Sequence, residues 1–347
     1  MARQDAVGLD IGTHSVNIAQ ISTVGGTATL TNFGGVTLPP GAVREGEVVD
    51  VDVVAAAIDQ LWSDAGISER RVHLGVANRR VVVGQVDLPA MEEAELRSAL
   101  RSQVQDYSPT PVEEAALDFH RLEEFTGEDG SPMVRLLFVA AHRDMVSNHI
   151  SAVMKAGLEP EGVDLNAFAV LRALVPDPDA GAGSEMLVDI GAGVTNIIMH
   201  EHGIPRFVRV VLLGGGDITE TIASDLSIPE DHAEAMKIQL GLRGDETDSA
   251  RTIEKRADQF IDEVRGALDH YLAQTDAGPI SRLVLSGGGS KLLGLCERMT
   301  DALLPPVVMG HPLATLPVQG TVYGPDQLAE VEPVLTTAIG LALVATV

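Results

Sequence analysis

Two short turns hold residues whose types and spacing could do chemistry. Each reads Asp-Ile-Gly after an apolar stretch, at residues 6–22 (AVGLDIGTHSVNIAQIS) and at residues 185–203 (EMLVDIGAGVTNIIMHEHG). A second apolar stretch follows each turn, and this pattern predicts a β-hairpin closed by small residues. Glycine at such a bend leaves backbone N–H groups bare, so that they can cradle phosphate oxygens. The pair of turns therefore predicts a polyphosphate site.

The two turns supply two predicted phosphate cradles. The first consists of Gly12, Thr13, His14 and Ser15, followed by Asn17 in the next strand. The second consists of Gly191, Ala192, Gly193, Val194 and Thr195, followed by Asn196. Each could instead be an ordinary hairpin turn, but a second copy at the spacing of a duplicated domain favours phosphate binding.

An aspartate ends the strand before each turn, Asp10 in the first copy and Asp189 in the second. Anionic side chains beside a polyphosphate are favourable only when a cation lies between them. Mg²⁺ keeps several water ligands and takes few carboxylates, so two aspartates acting mostly through water would suit it. Asp10 and Asp189 are therefore the predicted metal residues.

Two further glycine clusters are predicted to approach a nucleotide. One consists of Gly287, Gly288, Gly289 and Ser290, between an apolar stretch and a helical pattern. The other consists of Gly215 and Gly216 before another helical pattern. Glycine lets a ring or ribose come close to the backbone, and a helix N-terminus favours nearby phosphate.

Glu234 and Lys237 lie three residues apart on a predicted helix and therefore share one face. Such a pair could grip the ribose hydroxyls or the edge of a base. The alternative is a solvent-exposed ion pair without a ligand, and only the other motifs favour a role in binding.

Periodicity places these motifs on an alternation of helices and strands. The predicted helices cover residues 53–65, ending at Gly66, and 92–107, 142–156, 164–174, 218–226, 229–240, 252–274 and 292–304. The predicted strands outside the hairpins cover residues 72–77, 81–86, 134–141 and 283–285, and residues 176–184 read as a linker.

Composition narrows the class of protein. The 347 residues are 45% hydrophobic, enough for a full core, and the net charge of −26 argues against a nucleic-acid binder or direct docking on anionic lipid. The single cysteine, Cys296, fits a reducing compartment. No apolar run approaches the roughly 20 residues needed to cross a bilayer. We expect a cytoplasmic protein, peripheral to the membrane through a partner, with no nucleic acid bound and no direct membrane insertion.

The order of these motifs resembles the actin/Hsp70/hexokinase superfamily, and more narrowly the PilM family of type IV pilus assembly proteins. The segments that carry the narrower resemblance begin VGLDIGTHSVNIAQIS at residue 7, VDLPAMEEAELRSALRSQVQDYSPTPVEEAALDF at residue 86, LLFVAAHRDMVSNHISAVMKAGLEPEGVDLNAFAVLRAL at residue 136 and MLVDIGAGVTNIIMHEHGIPRFVRVVLLGGGDITETIA at residue 186. They occur in the family's order over nearly the whole chain.

The resemblance implies an α/β protein with an actin/Hsp70-like two-lobed fold, duplicated RNase H-like domains, ATP between the lobes, and an FtsA-like arrangement. The implied parts are lobe 1 (1A) from residues 1–75, 159–182 and 321–347, an inserted 1C subdomain from residues 76–158, lobe 2 (2A) from residues 183–216 and 278–320, and subdomain 2B from residues 217–277.

The same resemblance implies partners. Family members bind the N-terminal cytoplasmic segment of the inner-membrane protein PilN in a groove next to 1C. They thereby link it to the pilus motor ATPase. Residues 92–107 and 81–86 would then line the interaction surface, and self-association is a further expectation.

Two asparagines depart from the family's pattern. Asn17 stands where a lysine is usual beside the phosphates. Asn166 stands where bacterial actin-like proteins commonly have a glutamate that positions the attacking water, and Asp164 is either its substitute or a helix cap. An amide can orient a water but cannot take its proton at neutral pH. The sequence therefore predicts an ATP-binding protein that is a slow ATPase at best.

Three other functions share these motifs. A filament-forming, FtsA-like cytoskeletal or cell-division ATPase is the main alternative, but the chain ends in TTAIGLALVATV, without the basic amphipathic helix by which FtsA holds the membrane. A small-molecule kinase would need a substrate pocket and a catalytic aspartate. A type II secretion protein of similar fold would continue into a transmembrane helix.

Overall fold

The computed structural model describes residues 3–105, 112–177, 183–242, 247–274, 278–320 and 323–344. Most of the predicted linker and the end of the helix predicted at 92–107 lie outside these residues.

In chain order the strands are β1 Arg3–Ile11, β2 Ser15–Val24, β3 Thr27–Thr37, β4 Val43–Arg44, β5 Glu47–Val48, β6 Arg71–Val76, β7 Val81–Pro89, β8 Ala115–Thr126, β9 Pro132–His142, β10 Glu159–Leu165, β11 Ser184–Ile190, β12 Thr195–Glu201, β13 Ile204–Val211, β14 Leu283–Ser286 and β15 Val307–Met309. The α-helices are α1 Val51–Ala65, α2 Glu93–Val104, α3 Arg143–Lys155, α4 Asn166–Leu174, α5 Gly215–Leu226, α6 Glu230–Leu240, α7 Asp248–Gln274, α8 Leu295–Ala302 and α9 Pro325–Leu343.

Two five-stranded sheets repeat one topology. The first has the order β3-β2-β1-β6-β10 and the second the order β13-β12-β11-β14-β15. In each sheet the first three strands form an antiparallel meander, and the last two run parallel to the central strand. The Asp-Ile-Gly turns join β1 to β2 and β11 to β12, at equivalent places. This repetition confirms the predicted duplication of an α/β domain and defines two lobes.

Helices cover both faces of the first sheet. On one face α1 buries Val54, Ile58 and Leu61 against the sheet, together with α3. Asp50 caps α1 by accepting hydrogen bonds from two backbone N–H groups of its first turn. Gly66 ends the helix at φ 63°, the left-handed conformation that glycine adopts without strain, as the sequence predicts. On the other face lie α4 and α9.

The contact between α4 and α9 depends on a glycine. A Cβ at Gly340, within α9, would overlap the carbonyl group of Ala169 in α4. We expect Gly340→Ala to lower the free energy of unfolding by about 3 kcal/mol, because the backbones must move apart. Gly266→Ala, inside α7 where a Cβ meets nothing within 4 Å, should instead add about 0.5–1 kcal/mol. Urea unfolding of both variants measures the contrast, and equal effects would contradict this packing.

A separate small module follows β6. Its antiparallel sheet has the order β7-β9-β8, and α2 covers one face with Leu96 and Leu100 against Phe138. The range predicted for 1C also includes α3, but α3 contributes Ala152 and Val153 to the core under α1. We therefore propose that the compact part of 1C ends with β9.

Several predicted helices have wrong first residues: α5 and α7 begin earlier than predicted, at Gly215 and Asp248, and two other helices begin later. Residue 164 was expected to begin a helix, but Asp164 lies in β10, which pairs with β6 in parallel, and α4 begins two residues later. The helix expected at 292–304 is shorter, because a 3₁₀ turn at Gly288–Lys291 comes first and α8 starts only at Leu295.

Candidate functional site

The two Asp-Ile-Gly turns have the same geometry. In the first, the N–H of Gly12 donates to the carbonyl of Ser15 over 2.9 Å, and in the second the N–H of Gly191 donates to Val194 over 2.9 Å. The turns also meet across the lobes, since a Cβ at Gly193 would lie 3.0 Å from Oγ1 of Thr13. The predicted cradles are thus brought face to face.

Each turn pairs its aspartate with an asparagine. Asp10 lies opposite Asn17 in the β1–β2 register, and Asp189 lies opposite Asn196 in the β11–β12 register. Asn196 Nδ2 donates to Asp189 Oδ2 over 3.4 Å. The Asn17 side chain, whose Nδ2 donates to Ser15 Oγ over 3.2 Å, lies close enough to Asp10 to lower the pKa of that carboxyl. The repeated spacing of the two residue types was visible in the sequence, but its meaning was missed.

The two carboxylates repel one another. Burial raises the pKa of Asp10 to about 7, and the charge of Asp189 adds to the rise, while hydrogen bonds from Asn17 and Asn166 oppose it. Burial also raises the pKa of Asp189. The surroundings of Asp10 and Asp189 therefore disfavour the charged form of each carboxyl group, and a cation bound between them would favour it.

Hydrogen bonds fix Asp189 from three sides. Ser286 Oγ donates to Asp189 Oδ1 over 2.8 Å, and Thr337 Oγ1 lies 3.5 Å from Asp189 Oδ2, in addition to the bond from Asn196. Ser286 ends β14 and Thr337 lies in α9, so the carboxylate joins the second sheet to a helix of the first lobe. Asp189 is therefore rigidly placed.

The residues present fit a hydrated Mg²⁺ ion. Asn166 Oδ1 and Asn196 Oδ1 are buried acceptors with no hydrogen-bond partner among the described residues, and water bound to a cation would supply donors. Among the same residues, no group of three or more His, Cys, Asp or Glu side chains could hold a metal. Two carboxylates with outer amide oxygens match Mg²⁺, which keeps most of its water.

The two residues predicted to position water lie apart from one another. Asn166 Nδ2 donates to Asp10 Oδ1 over 3.1 Å, so this side chain borders the candidate site. Asp164 instead forms an ion pair with Arg172 and accepts a hydrogen bond from the N–H of Leu165 over 2.8 Å. Asp164 is not the helix cap either, because Leu165 holds that position.

The start of α5 rests on the second turn. Gly215 N–H donates to the carbonyl of Gly191 over 2.9 Å, and Gly216 N–H donates to Ala192 over 2.7 Å. A side chain at Gly216 would crowd the Ala192 carbonyl at 2.9 Å. The two glycines thus allow the helix N-terminus to lie against the predicted cradle. Thr195 supports the same corner through its hydroxyl, which donates to the Leu213 carbonyl over 2.7 Å.

The Glu234–Lys237 pair is built into the cleft. Lys237 is 9% exposed, and its Nζ donates to Glu234 Oε2 over 2.6 Å, to Thr219 Oγ1 over 3.0 Å and to the Gly215 carbonyl over 2.9 Å. A solvent-exposed ion pair is therefore excluded for Lys237. Burial raises the pKa of Glu234, but hydrogen bonds from Lys237 and Thr219 and the nearby charges of Lys237 and His14 outweigh it, so the net pKa is lowered.

The last glycine cluster, residues 287–290, lies close to the start of α5. Gly287 has φ 80° and donates its N–H to the Pro333 carbonyl over 3.0 Å. A Cβ at Gly215 would lie 3.5 Å from the Cα of Gly289, and Gly288 is exposed. Ser290 is buried, and its hydroxyl donates to the Gly287 carbonyl over 2.7 Å. The structure thus brings the cluster beside the start of α5.

A comparison with known families identifies the family of this chain. Residues 8–346 match the family model described as type IV pilus assembly protein PilM. The chain belongs to the PilM family. Its fold is also similar to a solved structure, the PilM-PilN type IV pilus biogenesis complex, with TM-score 0.87 and 28% identity over 99% of this chain and 98% of that one.

More distant relatives bear on the fold. The cell division protein FtsA of Pseudomonas aeruginosa strain PAO1 is 25% identical, over 97% of this chain and 88% of that protein. MreB5 of Spiroplasma citri bound to ADP has TM-score 0.51 and 13% identity, over 97% of this chain and 94% of that one. These similarities confirm the predicted actin-like fold, and the family match supports the predicted assignment of this PilM-family protein to type IV pilus assembly.

Asn17 takes the place where the PilM resemblance leads us to expect a lysine. The side chain is 6% exposed, and its Nδ2 donates to Ser15 Oγ over 3.2 Å. Gly35 on β3 makes room for it, since a Cβ there would lie 2.7 Å from Asn17 Oδ1. In this PilM-family chain the buried Asn17 amide lies opposite Asp10, at the place that Asn196 takes opposite Asp189.

The sequence of this PilM-family chain predicts no segment that crosses the membrane. Every helix in the part of the chain that the structure describes is too short or too polar to cross a bilayer.

Proposed function

We propose that this chain binds ATP with Mg²⁺ between its lobes and serves as a nucleotide-dependent adaptor in type IV pilus assembly. The observation that carries the nucleotide part is the face-to-face placement of two identical turns, each with an aspartate whose charge is disfavoured by burial. Two carboxylates whose charged forms are disfavoured by burial, one of them also by the other's charge, destabilise the empty site, and a bound cation would offset that effect.

Each part of the cleft then has a role. Within residues 12–15 and 191–195, the N–H groups of Gly12 and Gly191 close the turns, and other backbone N–H groups hold phosphate oxygens. Glu234, held in place by Lys237, hydrogen-bonds to the ribose. Residues 287–290 give the base a flat backbone surface. Asp10 and Asp189 hold hydrated Mg²⁺, which neutralises phosphate charge when bound.

We expect hydrolysis of ATP to be slow. Asn166 is placed beside Asp10 to orient a water, but an amide does not accept a proton at neutral pH. Asp164 is held in its ion pair with Arg172. Steady-state turnover by the pure protein should stay well below about 1 s⁻¹, the low end of usual enzyme rates. A turnover number at or above that rate would contradict the roles assigned to these residues.

Removing the buried ammonium group of Lys237 should weaken ATP binding. We expect Lys237→Met to lower affinity about 10- to 100-fold, because Glu234 and the start of α5 lose the ammonium group that holds them, and a hydrogen bond to a charged group contributes about 1.5–3 kcal/mol. Lys155→Met is the control, because Lys155 is exposed on α3 and paired with Asp52. Calorimetric titration with Mg-ATP measures both. Unchanged affinity in Lys237→Met would remove this residue from the site.

We further propose that the 1C module binds the N-terminal cytoplasmic segment of a PilN-like inner-membrane protein. The support is the 28% identity, over nearly the full chain, to a protein solved as a PilM-PilN complex. The strand β7 and the helix α2, which lie in the ranges predicted to line the groove, form one edge and one face of the module. Through this partner the protein would lie at the cytoplasmic face of the membrane and connect to the pilus motor.

A photoreactive synthetic peptide with a PilN N-terminal sequence tests the partner site. With the full-length protein, cross-links should fall within residues 81–104. Cross-links confined to the second lobe would overturn the assignment to 1C.

Filament formation is the second candidate function, favoured by the match to FtsA over 97% of this chain. Sedimentation of the protein with Mg-ATP separates the two. An adaptor should remain in the supernatant, whereas nucleotide-dependent pelleting would favour the filament.

A further inference from the structure

A tight hairpin lies between the second phosphate turn and the base of 1C. Its strands are β4 and β5, and its tip is Glu45-Gly46, with φ of 51° and 76°. Gly46 is buried, and a Cβ there would overlap the carbonyl oxygen of Ala77 and lie 3.4 Å from Cγ2 of Val194. The tip therefore lies beside Val194 of the second lobe and packs closely on Ala77, in the segment that leads into 1C.

The base of 1C grips this tip. Asn78 is fully buried, its Nδ2 donates to the Glu45 carbonyl, and its Oδ1 accepts from the N–H of Arg80 over 2.7 Å. Arg80 also pairs with Glu47 at 2.9 Å. Asn78 thus couples the hairpin tip to the first residues of β7.

We propose that the hairpin tip transmits the state of the nucleotide cleft to the 1C module. This inference rests on the proposed function, because the signal is the binding of phosphate at the second turn. The backbone of Val194 belongs to the cradle, while its Cγ2 lies 3.4 Å from the position that a Cβ of residue 46 would take. Phosphate binding that moves or stiffens this turn therefore changes what the tip, and with it Asn78, can pack against.

The coupling has two thermodynamic consequences. A ligand shifts a conformational equilibrium only through interactions that differ between the states. The proposal requires the packing of Val194 beside Gly46 to differ between the free and the phosphate-bound states. Linkage is also reciprocal, so a partner peptide that fixes 1C should strengthen nucleotide binding by the same factor.

A direct contact between 1C and lobe 2 is the competing route by which nucleotide binding could affect 1C. Gln85 Nε2 on β7 donates to the Arg206 carbonyl on β13 over 3.0 Å, where edge strands of 1C and lobe 2 meet. Gln85→Ala removes this bond without touching the hairpin. Variants at the hairpin tip and at Gln85 therefore distinguish transmission through the hairpin from transmission through the β7–β13 contact.

Hydrogen exchange of the full-length protein, with and without Mg-ATP, tests the proposal. In the wild type, Mg-ATP should slow exchange at the phosphate turns and, by about fivefold or more, at residues 76–89. Protection at the turns with none at residues 76–89 would overturn this inference and leave ATP binding intact. No protection at either place would overturn the proposed function as well.

Four variants then locate the route. Asn78→Asp keeps the acceptor for Arg80 but loses the donor to Glu45, and Gly46→Ala displaces the tip because its Cβ would overlap the Ala77 carbonyl. Both should keep protection at the turns and lose it at residues 76–89. Gly66→Ala, at φ 63° in open space, and Gln85→Ala should behave as the wild type. Loss of protection in Gln85→Ala, with retention in Asn78→Asp and Gly46→Ala, would overturn the proposal.

Discussion

Asp10→Asn should stabilise the nucleotide-free protein at pH 8 and abolish its stabilisation by Mg-ATP. Because the pKa of Asp10 is raised from 3.8 to about 7, the folded state holds a proton that the unfolded state releases. The stability of the wild type therefore falls as the pH rises from about 4 to about 7. The variant has no such proton to lose.

The size of this effect follows from the pKa. The difference between 3.8 and about 7, at about 1.36 kcal/mol for each pKa unit, sets an upper limit of about 4 kcal/mol. Solvent at the half-buried carboxylate reduces it. Thermal melts between pH 4 and pH 8 should show the two proteins converging at low pH. Asp59→Asn, an exposed position on α1, is the control and should follow the wild type.

The Asp10 carboxylate, which destabilises the nucleotide-free protein at pH 8, is needed for stabilisation by Mg-ATP. Mg-ATP should raise the melting temperature of the wild type, because a ligand that binds only the folded state stabilises it. Asp10→Asn should show little or no such rise, since the cation loses one of its two carboxylates. A variant that is less stable than the wild type at pH 8, or that responds fully to Mg-ATP, would contradict the placement of Asp10.

Gly191→Ala should lower the affinity for Mg-ATP by at least about 100-fold, which is the loss of two charge-assisted hydrogen bonds. A Cβ at this position would lie 2.6 Å from the Val194 carbonyl oxygen, which is the acceptor of the hydrogen bond that closes the turn. Because the obstructing atom is backbone, the whole cradle must open. Gly215, whose N–H donates to the Gly191 carbonyl, would move with it.

The equivalent position in the first turn supplies a graded comparison. A Cβ at Gly12 would lie 3.1 Å from the Ser15 carbonyl oxygen, so Gly12→Ala should weaken binding less than Gly191→Ala. Gly278→Ala, where nothing lies within 4 Å, should leave affinity unchanged. Calorimetric titrations rank the three variants. Equal affinities for Gly191→Ala and Gly278→Ala would exclude the second turn from the site.

Features set by neighbouring residues were predictable from the sequence. The hairpins follow from alternating apolar stretches around Asp-Ile-Gly, and the end of α1 follows from Gly66. Asp164 was misplaced because residues 164–174 have helical spacing, whereas their first two residues form a strand only through pairing with the distant β6. Local periodicity does not report such pairing.

Features that depend on the meeting of the lobes were not predictable. The contact of Thr13 with Gly193 and the repulsion between Asp10 and Asp189 join parts far apart in sequence. Lys237 illustrates the same limit, because spacing alone did not distinguish an exposed ion pair from the buried network that the structure shows.

A calorimetric titration of the purified protein with ATP in the presence of Mg²⁺ tests the central claim most directly. The account predicts saturable binding of one ATP per chain, lost when Mg²⁺ is chelated and lost in Asp10→Asn. No binding at millimolar ATP by protein shown to be folded would contradict it, and the paired turns would then serve only to hold the two lobes together.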